Sequence, residues 1–224
     1  MKNRIQFLDG TVLKIIAMIS MIFDHIGDAF FPEQTWMRII GRIAMPVFAF
    51  CVAEGFAHTR DRKKYLLRMG IFALISEVPF DLFAKGDVNL VHQNIMFTFL
   101  WAMLGLTCYE KITENKKSAA KAAGIVLLLV FIIISAILRL DYNMTACGLV
   151  MIFYLLREKN MFLRTGAAAL YHMVLRNVGI HWFGLLSFPF LLMYNGEKGK
   201  GLKWLFYVFY PGHMLAIWLI KILL

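Results

Sequence analysis

The sequence predicts an all-α fold: a polytopic membrane helical bundle of about nine transmembrane helices, forming one domain over residues 1–224 with its N-terminus in the cytoplasm. Two observations carry that expectation. Hydrophobic residues make up 60% of the chain and charged residues 17%, with a mean hydropathy of +0.67, whereas a soluble domain averages about 45–50% apolar. The apolar residues also gather in runs near the ~20 residues that a spanning helix needs. With 20 Phe, 14 Met and 5 Trp, the chain has far too much apolar surface to stay disordered.

Taken in order, the first span covers 11–31. It starts like a signal peptide, after Lys2 and Arg4, but Lys14 and Asp24 interrupt it and no small-x-small cleavage site follows, so it reads as a retained helix. The second, 36–57, carries Arg42 and Glu54 and ends at His58; the third, 65–84, carries Glu77 and Asp81. The fourth and fifth are 94–111 and 119–138. The sixth to eighth, 142–157, 161–176 and 180–195, are the shortest, and 203–223 closes the chain. Loops of a few residues leave no room for a soluble domain. Gly41, Gly55 and Gly105 read as sites of close helix contact, and Pro46, Pro79 and Pro211 as helix kinks.

Orientation follows from charge, because short cytoplasmic loops collect Lys and Arg. With the N-terminus inside, 17 of the 24 basic residues fall on cytoplasmic segments, among them Lys2, Arg4, the Arg60–Arg68 group, Lys116 and Lys203. Only Arg38, Lys85, Arg139, Arg176 and Lys221 fall outside, and Lys14 and Arg42 lie within helices. The net charge of +10 is therefore a topology signal, and no nucleic-acid partner is expected. Cys51, Cys108 and Cys147 sit in apolar runs without CxxC spacing and read as packing residues. The six histidines form no two-ligand pair at helical spacing and no HExxH is present, so no metal is expected.

An ionisable side chain at the centre of a spanning helix costs at least ~2.5–3.5 kcal/mol, so each one needs a partner, a cavity or a task. The first helix carries Lys14, Asp24, His25 and Asp28; His172 and His213 lie in later ones. Counting depth at ~1.5 Å per residue places Asp24, His25, Arg42, Glu77, Asn94, Asp141 and Tyr142 in the outer half, and Lys14, Glu54 and His58 toward the cytoplasm. Histidine suits general-base work because its ordinary pKa is near ~6.5 and a facing carboxylate fixes its tautomer. The partner of His25 is Asp24, Glu54, Asp28 or a residue of another helix. The same groups also fit a structural ion network of Asp24, Arg42 and Glu54 with His25 packed against it.

The segment RIQFLDGTVLKIIAMISMIFDHIG, from Arg4 to Gly27, is followed in order by GRIAMP, EGFAHTR, SEVPF, HQNIMFT and YPGH. Together they resemble the TraX family of membrane proteins over nearly the whole chain. That family is associated with N-terminal acetylation of pilin and resembles, more distantly, the acyltransferase-3 and heparan-glucosaminide acetyltransferase group. In the latter an early helix carries an arginine, ten residues, then a histidine proposed as catalytic base. Lys14 and His25 stand at that spacing here, with lysine in place of arginine.

The resemblance implies an acyltransferase of the bacterial cytoplasmic membrane, moving an acetyl group from cytoplasmic acetyl-CoA to an amine or hydroxyl of an envelope peptide, pilin or glycan. His25 is the implied base, Asp24 or Glu54 its orienting carboxylate, and Arg42 or Asn94 the oxyanion donor. Lys14, His58 and Arg60 to Lys64 are the implied donor-phosphate contacts; Asp141, Tyr142 and His213 the remaining substrate contacts. Two other classes fit the same buried charges: a small transporter or flippase using them as relays, although no inverted repeat is visible, and a membrane assembly factor using them for packing.

Overall fold

A computed structural model of the chain describes residues 5–88, 91–115 and 117–224, so that Lys2, Arg4 and Lys116 of the charge count lie outside the described residues. The described residues form α1 (Gly10–Phe30), α2 (Thr35–Gly41), α3 (Ala44–His58), α4 (Arg62–Lys85), α5 (Ile95–Thr113), α6 (Ser118–Ile137) and α7 (Asn143–Leu155). They continue as α8 (Met161–Leu175), a 3-10 helix (Gly179–Ser187), α9 (Phe188–Leu192) and α10 (Lys203–Leu223). Counting α2 with α3 and the 3-10 helix with α9, these are the nine helical segments expected. Five are long and apolar enough to cross a membrane: α1, Thr35–His58, α5, α6 and Trp204–Leu223. α4 is as long but carries more charge, and the three shortest predicted spans remain short helices.

Local chemistry sets the boundaries. Asp9, Asp61, Asn94 and Asn160 cap α1, α4, α5 and α8 by accepting hydrogen bonds from first-turn amides. The Lys64 amide bound to Asp61 also holds that exposed carboxyl below its ordinary range. Gly86, at φ 80°, closes α4 in the left-handed conformation. The second span is not one helix: it breaks at Arg42–Ile43. Pro46 has no N–H for the Arg42 carbonyl and its ring crowds that oxygen, so the interruption falls one turn before the proline. Pro79 and Pro211 lie inside α4 and α10, which continue through them.

Consecutive segments alternate in direction, and contacts at each end agree. At the end where α1 begins, termed lower here, Leu8 pairs with Tyr194, Thr11 donates to the Lys200 carbonyl at 2.7 Å, and Arg62 meets Glu110. At the upper end Gln93 pairs with Leu140, and Arg42 meets Tyr142. α7 is the central helix, buried over most of its length and packed by α3, α5, α6 and α8. Ala49 and Ala53 of α3 and Ala146 of α7 are buried, small side chains that let these helices approach closely, while Gly148 of α7 makes room for the Tyr171 ring of α8. α6 turns Val126, Leu129, Ile133 and Ile137 outward, an apolar face suited to lipid rather than water.

Candidate functional site

The upper end holds a polar cavity of about 380 Å³ bordered by Asp24, His25, Asp28, Arg38, Arg42, His92, Asp141, Tyr142, Arg176 and His181. Its wall is an arginine network. Asp24 and Arg42, 6% and 5% exposed, form an ion pair, and Arg38 reaches the other Asp24 oxygen at 3.2 Å while pairing with Asp28. Arg42 also donates to the Tyr142 hydroxyl at 2.8 Å, to the Arg38 carbonyl at 3.2 Å, and lies 3.4 Å from His181 Nδ1. Arg176 donates to Thr145 at 2.9 Å.

The loop before α7 is shaped to meet this network. Arg139, Tyr142 and Asn143 have φ of 52°, 51° and 32°, left-handed values that side chains other than glycine adopt at a cost. Strand-like contacts with Gln93 and a 2.7 Å hydrogen bond from Thr98 to the Asp141 carbonyl hold the loop in place. Burial pushes the Asp141 carboxyl up to about 6 against the opposing pull of the Tyr142 amide, Arg42 and Arg176.

His25 meets His213 of α10, with Nδ1 2.8 Å from Nε2. The ring centroids are 4.9 Å apart and the planes within 4°, so the rings meet edge to edge, as an in-plane hydrogen bond requires. The tautomers follow from the next contact. His213 Nδ1 lies 2.7 Å from the Phe209 carbonyl, which can only accept, so Nδ1 carries the proton and His213 Nε2 is an acceptor. His25 therefore donates from Nδ1, and its basic lone pair is on Nε2, which no described residue engages.

A second cavity, of about 370 Å³, opens from the lower end. Its mouth carries Lys14, His58, Thr59 and Lys198, its walls Phe48, Phe50, Cys51, Phe99 and Phe206, and its far end Met21, Ile95, Met96 and Tyr210. Met21 and Tyr210 are one helical turn from His25 and His213 on the same helices. The histidine pair thus stands between a mostly apolar cavity below and a polar one above.

The structure gathers some expected site residues and separates others. His25, Asp24, Arg42, Asp141 and Tyr142 border the upper cavity, and Lys14, Glu54 and His58 the lower one. Of the alternatives for the partner of His25, the structure gives the residue of another helix, His213, and not a carboxylate: Asp24 is occupied by two arginines, Asp28 pairs with Arg38 and Glu54 binds Arg164 at 2.7 Å. Asn94 borders neither cavity. It is fully buried at the α5 start, donating to the Ala73 carbonyl at 2.8 Å and to Glu77, and accepting from the Met96 amide, which leaves its amide no free donor. Arg60 is exposed and outside the lower lining, as are Arg62, bound to Glu110, and Lys64, paired with Asp61.

Sequence reasoning missed Arg38, Arg176 and His181 as site residues, and Arg68 as a cavity residue. The signal for the first two was their position: they are exceptions to the basic bias of the cytoplasmic loops. His181 and Arg68 carry no comparable mark.

A family model described as TraX protein matches residues 9–221. Among curated relatives, the probable fimbrial assembly protein FimC, serogroup H1, of Dichelobacter nodosus is 28% identical, the match covering 92% of each chain. Protein TraX of Escherichia coli is 28% identical over 49% of this chain and 43% of its own. An uncharacterized protein of Rickettsia prowazekii (strain Madrid E) is 36% identical over 39% of this chain and 34% of its own. No solved structure matches.

Proposed function

The chain belongs to the TraX family, and on that footing we propose that it is a multi-pass acyltransferase of the bacterial cytoplasmic membrane, N-terminus inside. It would move an acetyl group from cytoplasmic acetyl-CoA to an amine or hydroxyl of an envelope peptide, pilin or glycan. The relatives' names, fimbrial assembly protein FimC and TraX, favour a pilus-associated acceptor. The observation that carries the reading is the His25–His213 pair set between two cavities that lie toward opposite ends of the bundle.

The donor supplies an acyl group activated as a thioester, entering by the lower cavity; the acceptor enters by the upper one. His25 Nε2 takes the proton from the acceptor amine or hydroxyl as the new bond to the acyl carbon forms, and returns it to the departing thiolate as the carbon–sulfur bond breaks. His213 holds the His25 ring in the reactive tautomer and accepts the hydrogen bond that steadies the imidazolium, the part a carboxylate plays in hydrolase triads. Arg42, clamped by Asp24, keeps a fixed positive charge on the upper wall, where a developing oxyanion gains most because the site is shielded from water.

The test uses the protein in lipid nanodiscs with labelled acetyl-CoA and a panel of pilin-type peptides and envelope glycans, following acyl transfer and thiol release. Transfer in wild type that is lost in His25→Ala is the expected result. A folded wild-type protein that transfers nothing to any acceptor overturns the enzyme reading and favours transport or assembly.

A further inference from the structure

Arg68 stands apart from the other interior arginines: Arg176, which also has no carboxylate within ion-pair distance among the described residues, is held by Thr145 and the Tyr142 carbonyl. Arg38, Arg42, Arg62 and Arg164 each have a carboxylate within ion-pair distance. Arg68, on the wall of the lower cavity, has none among the described residues, and its Nε is buried without a hydrogen-bond partner. Its surroundings position the guanidinium without neutralising it: the Tyr65 ring lies 5.9 Å from Cζ and Tyr207 borders the same cavity. A half-buried cation whose Nε is shut off from water and which lacks a counter-charge is costly, and a cavity is where a ligand can supply one.

The neighbouring charges have the same sign. Lys14 lies with Nζ 4.9 Å over the Phe206 ring, and Lys198 borders the mouth. The one carboxylate on this lining, Glu54, is spent on Arg164. Lys14 is about 6 Å up α1 and Arg68 about 9 Å up α4, at ~1.5 Å per residue, so Arg68 stands just above the mouth that Lys14 and Lys198 line. Above them the lining turns apolar and aromatic as far as Met96 and Tyr210.

We infer that Arg68, with Lys14 and Lys198, forms a phosphate-binding subsite in the lower cavity, Arg68 supplying the planar fork that grips a phosphate oxygen pair. Lysine at position 14 offers only a point charge; the guanidinium is contributed from α4 instead. Under the acyltransferase reading, on which this assignment of the ligand rests, the phosphate is that of coenzyme A and the apolar reach above it holds the pantetheine arm. The same chemistry would also hold the phosphate of an anionic lipid. The basic run Arg60 to Lys64 plays no part in it.

Calorimetry on detergent-purified full-length protein separates these cases, using coenzyme A and, as a probe without phosphate, pantetheine. Arg68→Gln should weaken coenzyme A binding by about tenfold or more, as loss of a charge-assisted pair does, with Arg68→Lys intermediate and pantetheine binding unmoved. The combined Arg60→Gln, Lys63→Gln and Lys64→Gln variant should bind coenzyme A as wild type does. A second arm follows retention of phosphatidylglycerol through detergent exchange by native mass spectrometry. Arg68-dependent retention of that lipid, without coenzyme A binding, also establishes the phosphate site and assigns it to lipid. Folded Arg68→Gln that binds coenzyme A and lipid as wild type does overturns the subsite. Arg68-dependent coenzyme A binding in a protein that transfers no acyl group leaves the subsite standing and overturns the transferase reading instead.

Discussion

Gly41 lies so close to Asp24 that a Cβ built on it would fall 2.2 Å from the aspartate Cβ. That contact lets α2 press onto α1 and brings Arg42 within reach of the Asp24 carboxylate. Gly41→Ala should therefore cost about 1–3 kcal/mol as an overpacked contact and lower acyl transfer by displacing the arginine clamp. Gly166 has nothing within 4 Å of the same built atom, and Gly166→Ala, on α8, should be neutral or slightly stabilising. Thermal unfolding of both variants in detergent checks the contrast; equal midpoints would refute the packing role of Gly41.

The histidine pair predicts a non-additive kinetic pattern. His25→Ala should reduce kcat by about 10²–10⁴-fold, the range of a lost general base. His213→Ala should lower kcat by about 10–100-fold with KM for the donor unchanged, because it only orients His25. The double variant should be no slower than His25→Ala alone. Losses that multiply would show that His213 acts independently of His25.

Much of this architecture was legible in the chain. Apolar length alone located all nine helical segments, because lipid or a neighbouring helix must cover each one. The gathering of Asp24, His25, Arg42 and Asp141 at one end of the bundle was legible from depth counting. What was not legible are the pairings. His25 and His213 are 188 positions apart, and Glu54 and Arg164 are 110 apart; such distances leave no periodic trace. Adjacency could not choose among Asp24, Glu54, Asp28 and a residue of another helix as the partner of His25, because neighbours on a helix point about 100° apart; Asp24 turns toward α2. Asn94 suggested chemistry by its polarity, although its amide donors are taken by the Ala73 carbonyl and Glu77 and its oxygen by capping.

Asp24 and Arg42 should behave as a coupled buried pair. Asp24→Asn or Arg42→Met alone leaves one buried charge without its counter-charge, an expected loss of about 3–5 kcal/mol. The double variant should be less destabilised than the sum of the two. Unfolding midpoints of the four proteins give the coupling, and strict additivity would show that the pair contributes nothing as a pair. Arg38, which also contacts Asp24, makes Asp24→Asn the more damaging single change.

Asp141 predicts a pH dependence of stability. Its carboxyl is raised by burial from 3.8 to about 6 in the fold, so the folded state holds the proton more tightly than the unfolded chain. The contribution is fully present below the unfolded value and is lost as pH rises through about 6. Wild type should thus lose stability between pH 4 and 6 relative to Asp141→Asn, whose neutral amide does not titrate. Unfolding midpoints across that range check the sign; parallel curves for the two proteins would exclude Asp141 as the source.

Glu54 separates a structural role from a catalytic one. Its carboxylate accepts from Arg164 at 2.7 Å, and Arg164 also donates to the Phe153 carbonyl at 2.8 Å and lies over the Phe50 ring, tying α3 to α7 and α8. Glu54→Gln leaves Arg164, itself 5% exposed, without a counter-charge, so it should destabilise by roughly 3–5 kcal/mol. The fraction that remains folded should keep the wild-type pH profile of kcat, since Glu54 lies toward the lower end and does not touch His25. Glu54→Gln at full stability with a shifted pH profile would instead restore this carboxylate as the partner of the base, and would leave the His25–His213 contact without a catalytic part.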